Sequence, residues 1–156
     1  MDVLSNRRAW HYIVEVIVAA PVEKVWEIGS DWLSFPARSC VLECTEGENG
    51  LPGCVRKVTV KSRSGSPDKE RRWVAEKLIH IDHSRHILFY DVVGGNIGLE
   101  PGYQAAFQAV GEGEGRTRVV WSFRFSPKQA AIEQMTPSIA ARVTAYIQEL
   151  ETLASA

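Results

Sequence analysis

At 156 residues the chain has the size of one domain with a sizeable core, and 45% hydrophobic with 24% charged residues is an ordinary composition for a globular protein. The formal net charge is −1, so no global field draws the chain to nucleic acid or to an anionic membrane surface, and neither partner is expected.

The first eight residues, Met1 to Arg8, carry no apolar run of the signal-peptide kind, and no segment approaches the roughly 20 apolar residues needed to cross a bilayer. A cytoplasmic location is the expectation. Trp10 to Val18 alternates, with Trp10, Tyr12, Val14, Val16 and Val18 on one face, as in a half-buried strand. Pro21 suits the first turn of a helix, and Val22, Val25 and Trp26 recur at helical spacing as far as Gly29. A second short helical piece is expected from Asp31 to Phe35, stopped by Pro36. Strand-like runs follow: Ser39 to Glu46, the run beginning at Gly53-Cys54-Val55-Arg56, and Trp73 to Leu78. Ser62 to Asp68 is turn chemistry between the last two, and Ile81 to Ser84 is another turn. His86 to Val93, Tyr103 to Val110 and Thr117 to Phe125 complete the strands, with a four-glycine loop, Gly94 to Gly102, that is either a cavity lid or an inert connection. Thr136 is a candidate N-cap with Pro137 at the first helical position, and Ile139, Val143, Ile147, Leu150 and Leu153 then form one apolar stripe.

The order of elements is strand, two short helices, six strands, long helix. Consecutive strands with short turns imply an antiparallel meander, and the long helix needs a sheet to cover its stripe. The predicted fold is therefore a single α+β domain over 1–156, a seven-stranded curved antiparallel sheet gripping the C-terminal helix. Cys40, Cys44 and Cys54 are odd in number and lack a Cys-x-x-Cys pair, while the histidines at 11, 80, 83 and 86 complete no zinc spacing. Reduced thiols, with no metal and no cofactor, are expected.

One pattern conflicts with a purely apolar interior. Alternation places Arg56 on the face of Val58 and Val60, and Glu76 on the face of Val74 and Leu78. Burying either charge alone costs several kcal/mol, roughly, so each needs a partner or an open cavity. A cross-strand ion pair that only satisfies the interior is one reading. A ligand site is the other, with Tyr103, which shares its face with Ala105 and Phe107, and with Tyr90 and Trp121 facing the same space.

Glu46-Gly-x-x-Gly50 leading into Gly53-Cys-Val-Arg56, then Trp73-Val-Ala-Glu76-Lys-Leu78, Tyr103-Gln-Ala-Ala-Phe-Gln and Trp121-Ser-Phe, resembles the helix-grip superfamily of birch-pollen allergens and START-related polyketide cyclases. Within it the text looks most like plant lachrymatory factor synthase-like proteins. That resemblance implies proton movement on a small substrate, with the roles falling on Arg56, Glu76 and Tyr103. Abscisic acid receptors share the same three residue types, and Arg38-Ser39-Cys40 stands where they carry Lys-Ser-Cys, which brings Arg38 into the candidate ligand set with Tyr90, Trp121 and Phe107. Their gate, Ser-Gly-Leu-Pro-Ala, is replaced by Ser62-Arg-Ser-Gly-Ser-Pro67 and their latch by Ile97-Gly98-Leu99, which argues against phosphatase docking. Two classes of function stay open: a cofactor-free isomerase or cyclase, and a non-catalytic carrier of a small apolar or amphipathic organic ligand.

Overall fold

A computed structural model describes residues 4–36, 40–61, 72–96, 103–125 and 132–155, with the side chains of 4–6 and 132–136 left aside. A short 3-10 helix, Leu4–Ala9, leads into β1 (Tyr12–Val18) and α1 (Val22–Gly29). Six strands follow, β2 (Cys40–Glu46), β3 (Val55–Val60), β4 (Trp73–Asp82), β5 (Ile87–Gly95), β6 (Gln104–Gly111) and β7 (Thr117–Arg124), and α2 (Ile132–Ala154) comes last. The strands pair in the order β1-β7-β6-β5-β4-β3-β2. Every neighbouring pair is antiparallel, so β2 to β7 form the expected meander and β1 adds to its far side at β7.

The main core lies between one face of this sheet and the two helices. Val143, Ile147 and Leu150 of α2 are buried there with Val25 and Trp26 of α1 and with Leu78, Phe107 and Phe123 of the sheet. The stripe on α2 ends differently from the sequence reading. Leu153 is 46% exposed, and Ala154, four residues beyond Leu150, takes the buried place at 6%. The end of α2 is tied to the β1–α1 turn: the Glu151 carboxylate accepts from the Ala19 amide at 2.7 Å and the Ser155 hydroxyl donates to the Ala19 carbonyl at 3.0 Å.

Other departures have local causes. Pro137 lies inside α2 rather than at its start, where it removes one backbone donor from the ladder without ending the helix. The side chain of Thr136 is outside the described residues. Asp31 to Phe35 is a single turn, in which the amides of Ser34 and Phe35 both donate to the Asp31 carbonyl at 2.9 and 3.0 Å, too short to propagate as a helix. Trp10 does not share the face of Tyr12. The chain leaves the 3-10 helix there, and Trp10 packs on the outer side of the sheet with Phe89, against Ile87, Ala106 and Val120. β4 runs on to Asp82, so the turn falls after it and ends on His86 with φ 56°. The Ser62 to Asp68 turn and the loop beyond Asn96 lie outside the described residues.

Two register shifts on either side of the β4–β5 ladder set the shape around Glu76. Between the pairs Ala75–Gly94 and Glu76–Val92 the extra residue is Val93, and between Leu78–Tyr90 and His80–Phe89 it is Ile79. Both extra side chains are pushed outwards, at 42% and 41% exposure. Bulges of this kind bend the strand and increase twist, which curves the sheet toward α2 at the height of Glu76.

α1 ends close against the sheet at Gly29, where an added Cβ would stand 2.5 Å from Phe107 Cζ and 2.8 Å from Cε1. Gly29→Ala sets a helix-propensity gain of about 1 kcal/mol against an overpacking cost of about 1–3 kcal/mol on a ring that is itself buried. A net loss of stability is expected in urea denaturation; a gain would show that Phe107 moves aside freely.

Candidate functional site

Arg56 on β3 and Glu76 on β4 are direct register partners, so their side chains meet on the inner face of the sheet. Arg56 Nε donates to Glu76 Oε1 at 2.9 Å, and Nη2 stands 2.9 Å from the same oxygen. Nη1 donates to the carbonyls of Trp32 and Phe35, both at 2.9 Å. The guanidinium carbon lies 3.6 Å from the centroid of the Trp32 ring. Arg56 is only 5% exposed, yet four contacts to acceptors and a stacked indole replace its water. The turn after α1 thus supplies what a buried guanidinium requires. Trp32 delivers both a ring and a carbonyl, and Phe35 a second carbonyl.

The glutamate is held less completely. Oε1 takes both contacts from Arg56, whereas Oε2 takes no hydrogen bond from the described residues. Burial raises the Glu76 pKa above the usual carboxylate range, and the charge and hydrogen bond of Arg56 oppose that rise without cancelling it.

A cavity of about 120 Å³ opens beside the pair. The sheet contributes Arg56, Glu76, Tyr90, Tyr103, Trp121 and Phe123 to its wall, and α2 contributes Ile139, Arg142, Val143 and Tyr146. A void of this order accepts a small aromatic ring or an equivalent apolar fragment. The Tyr90 hydroxyl accepts from Trp121 Nε1 at 2.9 Å. Tyr103 is wedged beside Phe123 and Phe125, with ring centroids 5.7 and 5.1 Å away, and its hydroxyl has no hydrogen-bond partner among the described residues. Burial, with the nearby Glu76 charge adding to it, raises the pKa of both phenols, so at neutral pH they are hydrogen-bond donors rather than phenolates.

Five of the residues singled out in the sequence, Arg56, Glu76, Tyr90, Tyr103 and Trp121, therefore line one cavity. Phe107 does not. Its ring sits one layer behind, stacked on Trp26 at 6.1 Å and edge-on to Trp121 at 5.3 Å, because α1 covers that part of β6. Arg38 lies outside the described residues. Strand parity could not reveal Trp32 and Phe35, whose carbonyls come from a turn, nor the α2 contributors. Of these, Ile139 and Val143 belong to the apolar stripe read from the sequence, and Ser138, Arg142 and Tyr146 flank it at a spacing of four residues.

Other polar groups are placed apart from this site. The His83 ring accepts from Trp26 Nε1 at 3.1 Å, and among the described residues no group of three or more His, Cys, Asp or Glu side chains is arranged to hold a metal. All three cysteines are free thiols: Cys54 is buried and Cys44 exposed, with their sulfurs 3.9 Å apart, whereas the buried Cys40 reaches the site itself, its Sγ 3.3 Å from the Tyr146 hydroxyl. A second hollow, of about 310 Å³ beneath Trp10, Phe89 and Arg124, contains neither Arg56 nor Glu76.

Solved structures share this architecture. The allergen Ara h 8.0201 is 20% identical, with a TM-score of 0.66 over 93% of this chain and 97% of its own. A Nitrosospira multiformis protein is 16% identical with a TM-score of 0.73, covering 92% and 94%. XoxI from Bacillus cereus is 18% identical with a TM-score of 0.71, again covering 92% and 94%. At these identities the likeness establishes the fold alone. No curated protein sequence matches the chain. The sequence model described as polyketide cyclase / dehydrase and lipid transport matches residues 9–155, from the end of the 3-10 helix to the end of α2, and the chain belongs to that family.

Proposed function

We propose that the cavity is the active site of a cofactor-free proton-transfer enzyme, resembling lachrymatory factor synthase, that rearranges or cyclises a small reactive ligand. The observation that carries this reading is the state of Glu76: one carboxylate oxygen is fixed by Arg56, the other is uncommitted among the described residues, and the pKa is raised by burial in a cavity wall. A carboxylate so placed takes a proton from one substrate atom and returns it to a neighbouring atom, with no net gain or loss of protons or electrons. Tyr103 donates a hydrogen bond to the oxygen on which charge develops, since it lines the same cavity and its hydroxyl has no partner among the described residues. Arg56 acts mainly through its field, because most of its donors are taken by Glu76 and two carbonyls.

That commitment of Arg56 also favours a second reading, a non-catalytic carrier in which the pair is a fixed polar floor. A panel of small unsaturated ketones, acids and sulfenic acid precursors separates the two. In the enzyme reading Glu76→Gln lowers turnover by about 10²- to 10⁴-fold with binding retained, and Tyr103→Phe lowers it by about 10²-fold. Unchanged turnover in Glu76→Gln removes that residue from the mechanism, and saturable binding without product favours the carrier.

The raised pKa has a consequence for stability. Between the ordinary value of 4.5 and its raised folded value, Glu76 holds more proton in the folded state than in the unfolded state, so its contribution declines as pH rises through that window. Arg56→Leu removes both influences that oppose the rise. The destabilisation is expected to reach about 3–5 kcal/mol at pH about 8, where an unpaired carboxylate must ionise or remain protonated at a cost, and to be smaller near pH 5. Urea denaturation at the two pH values checks this, and an equal loss at both would mean that Glu76 titrates normally.

A further inference from the structure

The charges around the cavity are unbalanced. Among the described residues its wall carries Arg56, Arg72 and Arg142 against Glu76 alone, two positive charges in excess, in a chain whose formal net charge is −1. The excess is not at the bottom. Arg56 is neutralised by Glu76, whereas Arg72 and Arg142 are exposed and form no ion pair with a carboxylate among the described residues. Most of the sheet's side chains in the wall are buried, so Arg72, at the entrance to β4, and Arg142, on α2, mark the mouth. The two arginines with Tyr146 also line an adjoining hollow of about 60 Å³, so two spaces meet at the arginine pair. Arg142 also donates to the Tyr146 hydroxyl, which stands 3.3 Å from Cys40 Sγ, so the rim arginine is held from α2 itself.

We propose that the ligand is a small amphipathic monocarboxylate, held with its carboxylate at Arg72 and Arg142 and its apolar end against Val143, Trp121 and Phe123. This rests on the reading of the cavity as a ligand site and adds the class and orientation of what enters it. The opposite orientation is disfavoured by the same groups. A carboxylate pushed to the floor meets the Glu76 charge, and the Arg56 donors that would hold it are already engaged. At the mouth, two guanidinium forks offer planar donor pairs that match a carboxylate, partly in water, where desolvation is cheap. The substrate's reacting atoms then lie between head and tail, at the depth of Glu76 and Tyr103.

The test compares 3-phenylpropanoate with 3-phenylpropan-1-ol, which differ in charge at one end, by isothermal titration with wild type, Arg72→Gln, Arg142→Gln and the double variant. Thermal melts check that these exposed substitutions leave the fold intact. In wild type at about 20 mM salt the acid is expected to bind roughly fivefold to tenfold more tightly than the alcohol, and the preference should shrink at about 0.5 M salt. It should vanish in the double variant, with the loss falling on the acid and the affinity for the alcohol changing far less. Equal binding of acid and alcohol in wild type, or a preference that survives in the double variant, overturns the proposal and leaves the cavity reading standing. Failure of both probes to bind saturably overturns the cavity reading and this inference together.

Discussion

A guanidinium placed under a β-sheet must be given acceptors, and most of the architecture around Arg56 follows from that requirement. Glu76 alone leaves the other end of the fork unsatisfied. The turn after α1 closes the account by presenting the carbonyls of Trp32 and Phe35 to Nη1 and the Trp32 ring to the guanidinium face. These contacts bring the turn after α1 onto the paired strands β3 and β4 at one atom group. The ion pair is thus a tie between layers as well as a pair across strands. Such ties are specific because a partner removed from one end leaves a buried charge at the other.

The sheet is shaped to leave room beside the tie. Ile79 and Val93 are extruded at the two register shifts, and the strand segment carrying Glu76 lies between them. Bulges at these two points bend and twist the strands around Glu76. The aromatic layer then closes the rest. Trp26 stacks on Phe107 behind the cavity, Phe107 meets the cavity-lining Trp121 edge-on, and Tyr90 is fixed in the same wall by the Trp121 N–H. A wall made of interlocked rings resists collapse better than one of flexible aliphatic chains, because each ring has few rotamers and two neighbours.

Strand parity made the central site legible. Arg56, Glu76 and Tyr103 sit on faces fixed by period-two alternation, and a charge on an apolar face is a conflict that reading the sequence detects without knowing the fold. The seven strands and the covering helix were legible for the same reason, since hydrophobic period and turn chemistry are local. What failed was non-local or marginal. Trp10 obeys the alternation of β1 but belongs to the segment before it, and Leu153 fits the stripe until the last turn of α2, where the sheet no longer covers that side. Phe107 shares parity with Tyr103 yet lies beneath α1, a fact about which helix covers which part of β6. The carbonyls of Trp32 and Phe35 are invisible to any side-chain pattern, because backbone acceptors carry no residue identity.

The pair's geometry also bears on what a proton transfer there would demand. In the proposed reaction, a proton taken by Glu76 moves one negative charge from its free oxygen to the substrate. The carboxyl keeps its hold on Arg56 through the other oxygen, and the new anion forms within the same cavity. The sum of charge facing Arg56 is the same before and after, displaced by about the length of one hydrogen bond. Little reorganisation is therefore required of the guanidinium, which stays fixed by two carbonyls and a ring throughout. A lone carboxylate in the same place would need solvent to follow the charge, and the dry aromatic wall supplies none. In the proposed reaction the rigid tie that holds the layers together would for that reason also lower the cost of moving charge off Glu76 and back.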